Sequence, residues 1–287
     1  MTDARYGLVE AGGTKFVLGV ARNKDDVRET TRIPTTTPAE TIAAMCAWFG
    51  RRGPLSAIGV ASFGPLELDP ASPNWGYIST TTKLGWSGTD IAGPLKAACG
   101  CSVAIDTDVN GAALAEYYWG AAQGQTSMLY FTVGTGVGGG AVIDGRILKG
   151  LSHPEMGHIR VPRHPADVEF GGACRFHGDC LEGLASGPAI IARWGASLSH
   201  LPSQHPAHDI IAFYLAQAVV TMQSIFEPGR IVFGGGVMAT PGLIDRVKDQ
   251  ASRFGGDYFK SKASDIVCLP ALGDRAGLLG ALALVSV

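Results

Sequence analysis

Hydrophobic positions fall in short runs separated by glycine turns, and their spacing alternates between strand and helix periods. Tyr6 to Glu10 and Lys15 to Ala21 are apolar over strand lengths, with Ala11-Gly12-Gly13-Thr14 between them. Pro38 opens a helical pattern through Glu40, Ile42, Met45 and Trp48, and Gly50 and Gly53 mark its end. Ser56 to Ser62 reads as a buried strand ending at Phe63-Gly64-Pro65. Residues 69–88, rich in Pro, Thr, Ser, Trp and Gly, read as a structured loop. A helix over 89–98, a strand over 102–106 and a helix over 109–121 follow.

The opening pattern then returns. Met128 to Val133 is β-prone, Gly134 to Gly140 is a glycine turn, and Ala141 to Ile143 continues as a strand into an Asp144-Gly145 hairpin. Residues 152–182 are polar and irregular. Helices are expected over 186–199 and 207–226. Arg230 to Phe233 is a strand running into Gly234-Gly235-Gly236. A helix (241–254), a strand (265–269) and a helix (274–284) finish the pattern. Strand, glycine turn, strand therefore occurs twice, each time followed by alternating helices and strands. That implies a duplication giving two α/β lobes, and a cleft between lobes is a preferred ligand position.

Length and composition sharpen this picture. At roughly 150 residues per domain, 287 residues suit two units. Forty glycines are about twice the usual share of ~7%. They cluster rather than repeat, which excludes collagen. A net charge of −2 argues against a nucleic-acid partner. No stretch approaches about 18 uninterrupted apolar residues, and the N-terminus lacks a signal-peptide pattern, so no membrane association and a cytoplasmic location are expected. Six cysteines are too few for a disulfide scaffold, and those near histidines point to a metal.

Three groups of residues carry candidate chemistry. Gly12-Gly13-Thr14-Lys15 and Gly134-Thr135-Gly136 sit between strands, where glycine lets backbone N–H groups approach an anion. Either turn alone also fits a plain hairpin; two of them, with Gly234 to Gly236, favour a nucleotide. Gly-x-x-x-x-Gly-Lys-Ser/Thr is absent and strands follow the glycines, which disfavours P-loop and Rossmann enzymes. Asp108, after a strand and at a helix start, is a helix cap or a general base, with Asp106 as a rival for the latter role. Asn110 reads as structural. His158, Cys174, His177 and Cys180 form a Cys₂His₂ set, the closed tetrahedral donor set of structural zinc, although chance co-occurrence is the competing reading.

Together these residues carry a resemblance. Glu10-Ala-Gly-Gly-Thr-Lys15, Asp106-Thr-Asp-Val-Asn110, Gly134-Thr-Gly-Val-Gly-Gly-Gly140, Glu155-x-x-His158 with its Cys/His cluster, and Ile231-Val-Phe-Gly-Gly-Gly236 resemble, in order along nearly the whole chain, the motifs of the ROK sugar kinases. Cys180-Leu-Glu-Gly-Leu-Ala-Ser-Gly-Pro188 is most similar to the bacterial fructokinases. The resemblance implies an α/β, actin-like (ribonuclease H-like) ATPase fold with two lobes around a central cleft. Residues 1–107 plus 272–287 form the smaller lobe in this reading, and 108–271 the larger, with a zinc-bearing loop at 152–182.

The implied activity is ATP-dependent phosphorylation of a hexose, D-fructose to fructose 6-phosphate. The alternatives are mannose or glucose as substrate, or a sugar-binding regulatory protein. ROK repressors carry an extra N-terminal DNA-binding region, whereas the phosphate motif here begins at residue 10. The resemblance makes Asp108 the catalytic base. It assigns Gly64, Glu155, His158 and Glu182 to the sugar. Gly12, Gly13, Thr14, Lys15, Gly134, Thr135 and Gly136 go to ATP phosphates, and Gly235 and Gly236 to adenosine. Mg²⁺ accompanies ATP, structural Zn²⁺ takes His158, Cys174, His177 and Cys180, and a homodimer is implied. Trp86 reads as a sugar-stacking or a core residue. Glu10 stands where many members have Asp, Thr107 where many have a sugar-contacting Asn, and His177 where Cys is usual.

Overall fold

The computed structural model describes residues 4–287. Contacts divide it into two units: Met1–Tyr118 with Ile147–His153 and Leu272–Val287, and Trp119–Arg146 with Pro154–Ala271.

The first unit is built on β1 (Tyr6–Ala11), β2 (Lys15–Ala21), β3 (Val27–Pro34), β4 (Ala57–Ser62) and, later in the chain, Ser102–Thr107. The short strands β5 (Tyr77–Ile78) and β6 (Thr89–Asp90) form a separate hairpin, so Ser102–Thr107 is β7. The sheet order is β3-β2-β1-β4-β7. β1 and β2 are antiparallel, as their short glycine turn requires, and β1, β4 and β7 are parallel. The helices are α1 (Pro38–Gly50), α2 (Ala92–Cys99) and α3 (Asp108–Trp119). Helix α1 starts as expected, with Pro38 in its first turn and a reciprocal Thr37–Glu40 capping box.

Strand β3 is absent from the sequence reading. Its Arg28, Glu29, Thr30 and Arg32 are exposed and show no apolar alternation, because an edge strand pairs through its backbone. Trp86 is a core residue: fully buried, 5.5 Å from both Phe16 and Phe63, its indole N–H donating to Thr36 O at 3.0 Å.

The second unit repeats the topology. Its sheet is ordered β10-β9-β8-β11-β12, from β8 (Ser127–Val133), β9 (Val137–Ile143), β10 (Arg146–Ile147), β11 (Arg230–Gly234) and β12 (Val267–Cys268). β8 and β9 are antiparallel, whereas β8, β11 and β12 are parallel. The glycine turn is shorter than expected: only Gly134 to Gly136 bend, and Gly138 to Gly140 lie within β9. Those strand glycines leave room for neighbours; a Cβ on Gly139 would stand 2.6 Å from Met156 Cβ. Helices α4 (Leu181–Ala185), α5 (Gly187–Trp194), α6 (Ala207–Phe226), α7 (Leu243–Gly255) and α8 (Ala263–Ile266) complete this unit. Helix α5 stops earlier than predicted, at Gly195 in the left-handed conformation. Among the described residues α6 is the one helix long and apolar enough to cross a membrane; more than half of its apolar window is buried within the fold.

The chain closes on α9 (Ala276–Ser286), back in the first unit. The observed boundary lies after Tyr118 rather than at residue 107. Helix α3 stays with the first unit because Gly111 and Gly280 let it meet α9 backbone to backbone, and buried Glu116 accepts from Leu272 N–H at 2.9 Å. Residues 147–153 also join the first unit, where His153 Nε2 accepts from Leu66 N–H at 3.1 Å, beside Gly64.

Candidate active site

In the first unit, β7 and α3 set the carboxylates. Thr107 caps α3: its hydroxyl accepts from Asn110 N–H at 3.1 Å. Asp108 is therefore not the cap. Asp106 is buried, and its Oδ1 accepts from Thr107 N–H at 2.8 Å and from Asn110 Nδ2 at 2.7 Å. That commits Asp106, and Asn110 with it, to holding the turn. Asp108 is half-buried, and its carboxylate accepts from the Val109 N–H at 2.8 Å. Desolvation raises its pKa to about 6, the Val109 hydrogen bond opposes this, and Glu10 adds to the rise.

The Gly12–Lys15 turn lies at the ends of β1 and β2. Gly12 N–H donates to Lys15 O at 3.0 Å, and the Thr35 hydroxyl donates to Gly12 O at 2.7 Å. Lys83, from the 69–88 loop, donates to Gly13 O. Gly13, Thr14 and Lys15 are exposed, and a Cβ on Gly13 would meet nothing. Glu10 precedes this turn. Burial raises its pKa, against the opposing charges of Lys15 and Arg32.

In the second unit, Gly134 N–H donates to Gly136 O at 2.8 Å, which closes the turn beneath exposed Thr135. Glu182 Oε2 accepts from Val137 N–H at 3.0 Å. Gly235 has φ +91°, and a Cβ there would stand 2.6 Å from Val133 N. Gly236 is open to solvent on its Cβ side, and its amide lies 4.0 Å from where a Gly134 Cβ would sit. The phosphate and adenosine glycines of the sequence reading are thus neighbours in this unit.

The His/Cys cluster sits beside them. The Met156–His158 turn lies directly on β9, because Gly157 has no side chain to strike Val137 O. His158 Nδ1 is 3.4 Å from Cys180 Sγ, 3.7 Å from Cys174 Sγ and 3.2 Å from His177 Nδ1; Cys174 Sγ is 3.9 Å from His177 Nδ1. All four donors lie within 4.8 Å of one another. A tight turn with paired hydrogen bonds between Cys174 and Gly178 holds one side of the cluster. His158 Nε2 stands 3.9 Å from Glu155 Oε2. A buried network fixes the surrounding loop: Arg193 pairs with Asp167 at 2.5 Å, and Tyr214 donates to Asp167 at 2.7 Å.

The chain matches the ROK family over residues 6–287. A fructokinase of Zymomonas mobilis is 50% identical, over 97% of this chain and 95% of that protein. A putative fructokinase of Bacillus subtilis is 42% identical, over 97% and 94%. The ROK hexokinase of Thermus thermophilus superposes with a TM-score of 0.80 at 28% identity, covering 98% of this chain and 97% of that one.

This chain belongs to the ROK family. Its fold is the actin-like ATPase fold expected from the motifs. The structure of this ROK protein also shows two contacts that the sequence does not signal. Gly277, in the first turn of α9, makes room for Glu10: a Cβ there would lie 2.5 Å from Glu10 Oε1. Glu182, expected on the sugar, has one carboxylate oxygen on the Gly134–Val137 turn. Neither contact has a sequence signal, because each joins residues far apart in the chain.

Proposed function

We propose that this ROK protein is an ATP-dependent fructokinase, converting D-fructose and ATP to fructose 6-phosphate and ADP. One observation carries the chemistry: Asp108 presents a carboxylate bonded to the local backbone at the start of α3, with a pKa lifted to about 6 by desolvation. Such a group is poised to accept a proton near neutral pH. The 50% identity to a fructokinase supports the choice of sugar.

In this reading, Asp108 takes the proton of the fructose 6-hydroxyl as its oxygen attacks the γ-phosphorus, and the bond to the ADP oxygen breaks. Gly12, Gly13, Thr14, Lys15, Gly134, Thr135 and Gly136 serve the phosphates. Gly235 and Gly236 serve the adenosine. Mg²⁺, when bound with ATP, neutralises phosphate charge. Glu10, a half-buried carboxylate at the end of β1, is the residue suited to face it. Gly64, Glu155 and His158 serve the sugar. Thr107 supports fructose over sugars read by an Asn at this position, since its hydroxyl is committed to α3.

His158, Cys174, His177 and Cys180 suit one structural Zn²⁺. Tetrahedral Zn–N bonds of about 2.0–2.1 Å and Zn–S bonds of about 2.3 Å put donors about 3.3–3.8 Å apart. Four of the six donor pairs here lie at 3.2–3.9 Å, close to that range, and all six lie within 4.8 Å. The cluster uses His158 Nδ1, which leaves Nε2, beside Glu155, for the sugar. The family resemblance supports a cytoplasmic homodimer; light scattering should then give about twice the 29.8 kDa of one chain.

A coupled ADP-release assay with fructose, mannose and glucose tests the reading. The highest kcat/KM is expected for fructose. Release with no hexose at all, or a preference for glucose, overturns it.

A further inference from the structure

Glu182 lies two residues after Cys180 and at the start of α4. Its Oε2 holds Val137 N–H at 3.0 Å, and a Cβ on Gly136 would stand 2.6 Å from that same oxygen. Five residues on, Gly187 N–H donates to Gly134 O at 2.7 Å. The segment from Cys180 to Gly187 therefore grips the glycine turn at both ends. The turn itself is Gly-Thr-Gly with an exposed apex, so ordering it without anchors loses more backbone freedom than a turn without glycine would. An anchored turn has less freedom to lose when an anion binds. A carboxylate oxygen accepting a backbone N–H is the stronger, charge-assisted kind of hydrogen bond. It also occupies the space that a side chain at position 136 needs.

We propose that Glu182 is a positioning residue for the nucleotide: its carboxylate fixes the Gly134–Val137 turn in its phosphate-receiving shape, and a side chain at position 136 would displace that carboxylate from Val137 N–H. The inference rests on the reading of this turn as a phosphate loop of a kinase. It differs from a sugar role for Glu182, because it requires an effect on nucleotide with no sugar present.

The test is ADP binding to the full chain by calorimetry, without sugar, together with hydrogen exchange at the Val137 amide. Glu182→Ala is expected to weaken ADP about tenfold and to speed Val137 exchange about tenfold, the scale of one charge-assisted hydrogen bond. Glu182→Gln keeps an acceptor of the same shape but loses its charge, so a loss smaller than that of Glu182→Ala, about two- to fivefold, is expected. Gly136→Ala alone is expected to weaken ADP about tenfold, but by less than about threefold when added to Glu182→Ala, because the two changes share one contact. Unchanged ADP affinity and unchanged Val137 exchange in Glu182→Ala overturn the proposal. So does a Gly136→Ala loss that is equal in both backgrounds. Wild-type protein that binds no ADP overturns the kinase reading instead; Val137 exchange, which needs no nucleotide, tells the two failures apart.

Discussion

Asp106 Oδ1 accepts the Asn110 side-chain amide at 2.7 Å, and this bond fixes the helix turn that carries Asp108. Of these two acidic residues two positions apart, Asp106 holds the turn, and Asp108 is the half-buried carboxylate proposed as the base. Asp108→Asn should lower kcat at least about 10²-fold, the scale of general-base loss, while ADP binding persists. Asn110→Ala should instead cost about 1–3 kcal/mol of stability, because it leaves a buried carboxylate short of a donor. Steady-state kinetics and thermal unfolding of both variants check this division. Near-normal turnover in Asp108→Asn would remove it from the chemistry.

The raised pKa of Asp108 gives a pH dependence with a defined sign. A general base must be unprotonated, so kcat/KM should fall as pH drops through about 6. Stability runs the other way. A carboxyl whose folded pKa is raised binds its proton more tightly when folded, so its contribution worsens as pH rises from the unfolded value of 3.8 towards about 6. Asp108→Asn should therefore unfold at a higher temperature than wild type at pH 7.5, with the gap closing below pH 4. A wild-type profile flat from pH 5 to 8 would contradict the assignment.

The metal prediction is read by elemental analysis. Purified protein should carry about one zinc per chain. Cys174→Ser and Cys180→Ser should each lose it. The KM for fructose should rise in these variants, since His158 is both a cluster donor and a sugar-site residue in the proposed arrangement. Fully active protein free of zinc would refute the site.

Adjacent glycines at the end of β11 should behave differently. Gly235 has a positive φ and lies against the Val133 backbone, so Gly235→Ala should cost more than about 2 kcal/mol. Gly236 has no atom within 4 Å of its Cβ position. Gly236→Ala should change stability by less than about 0.5 kcal/mol yet raise the KM for ATP. Chemical denaturation and ATP titration separate the two effects.

The sequence by itself determined the repeated strand–turn–strand units, the helix starting at Pro38, the glycine turns and the Cys/His set. These features depend on periodicity, backbone freedom or donor type within short spans, and such signals survive without any knowledge of packing. The cluster was legible because its four donors fall between residues 158 and 180, and the structure brings all four within 4.8 Å. Tertiary structure decided what local pattern cannot hold. Edge strand β3 is polar on its open face and exists through its pairing with β2. Asp106 is tied to Asn110 by a side-chain hydrogen bond, and Trp86 is drawn into the core by Phe16 and Phe63. Glu10 meets Gly277, and Glu182 meets Val137, only because the folded chain returns there. A carboxylate's partner is set by which backbone N–H or empty glycine position packs against it, and residue order alone does not state that distance.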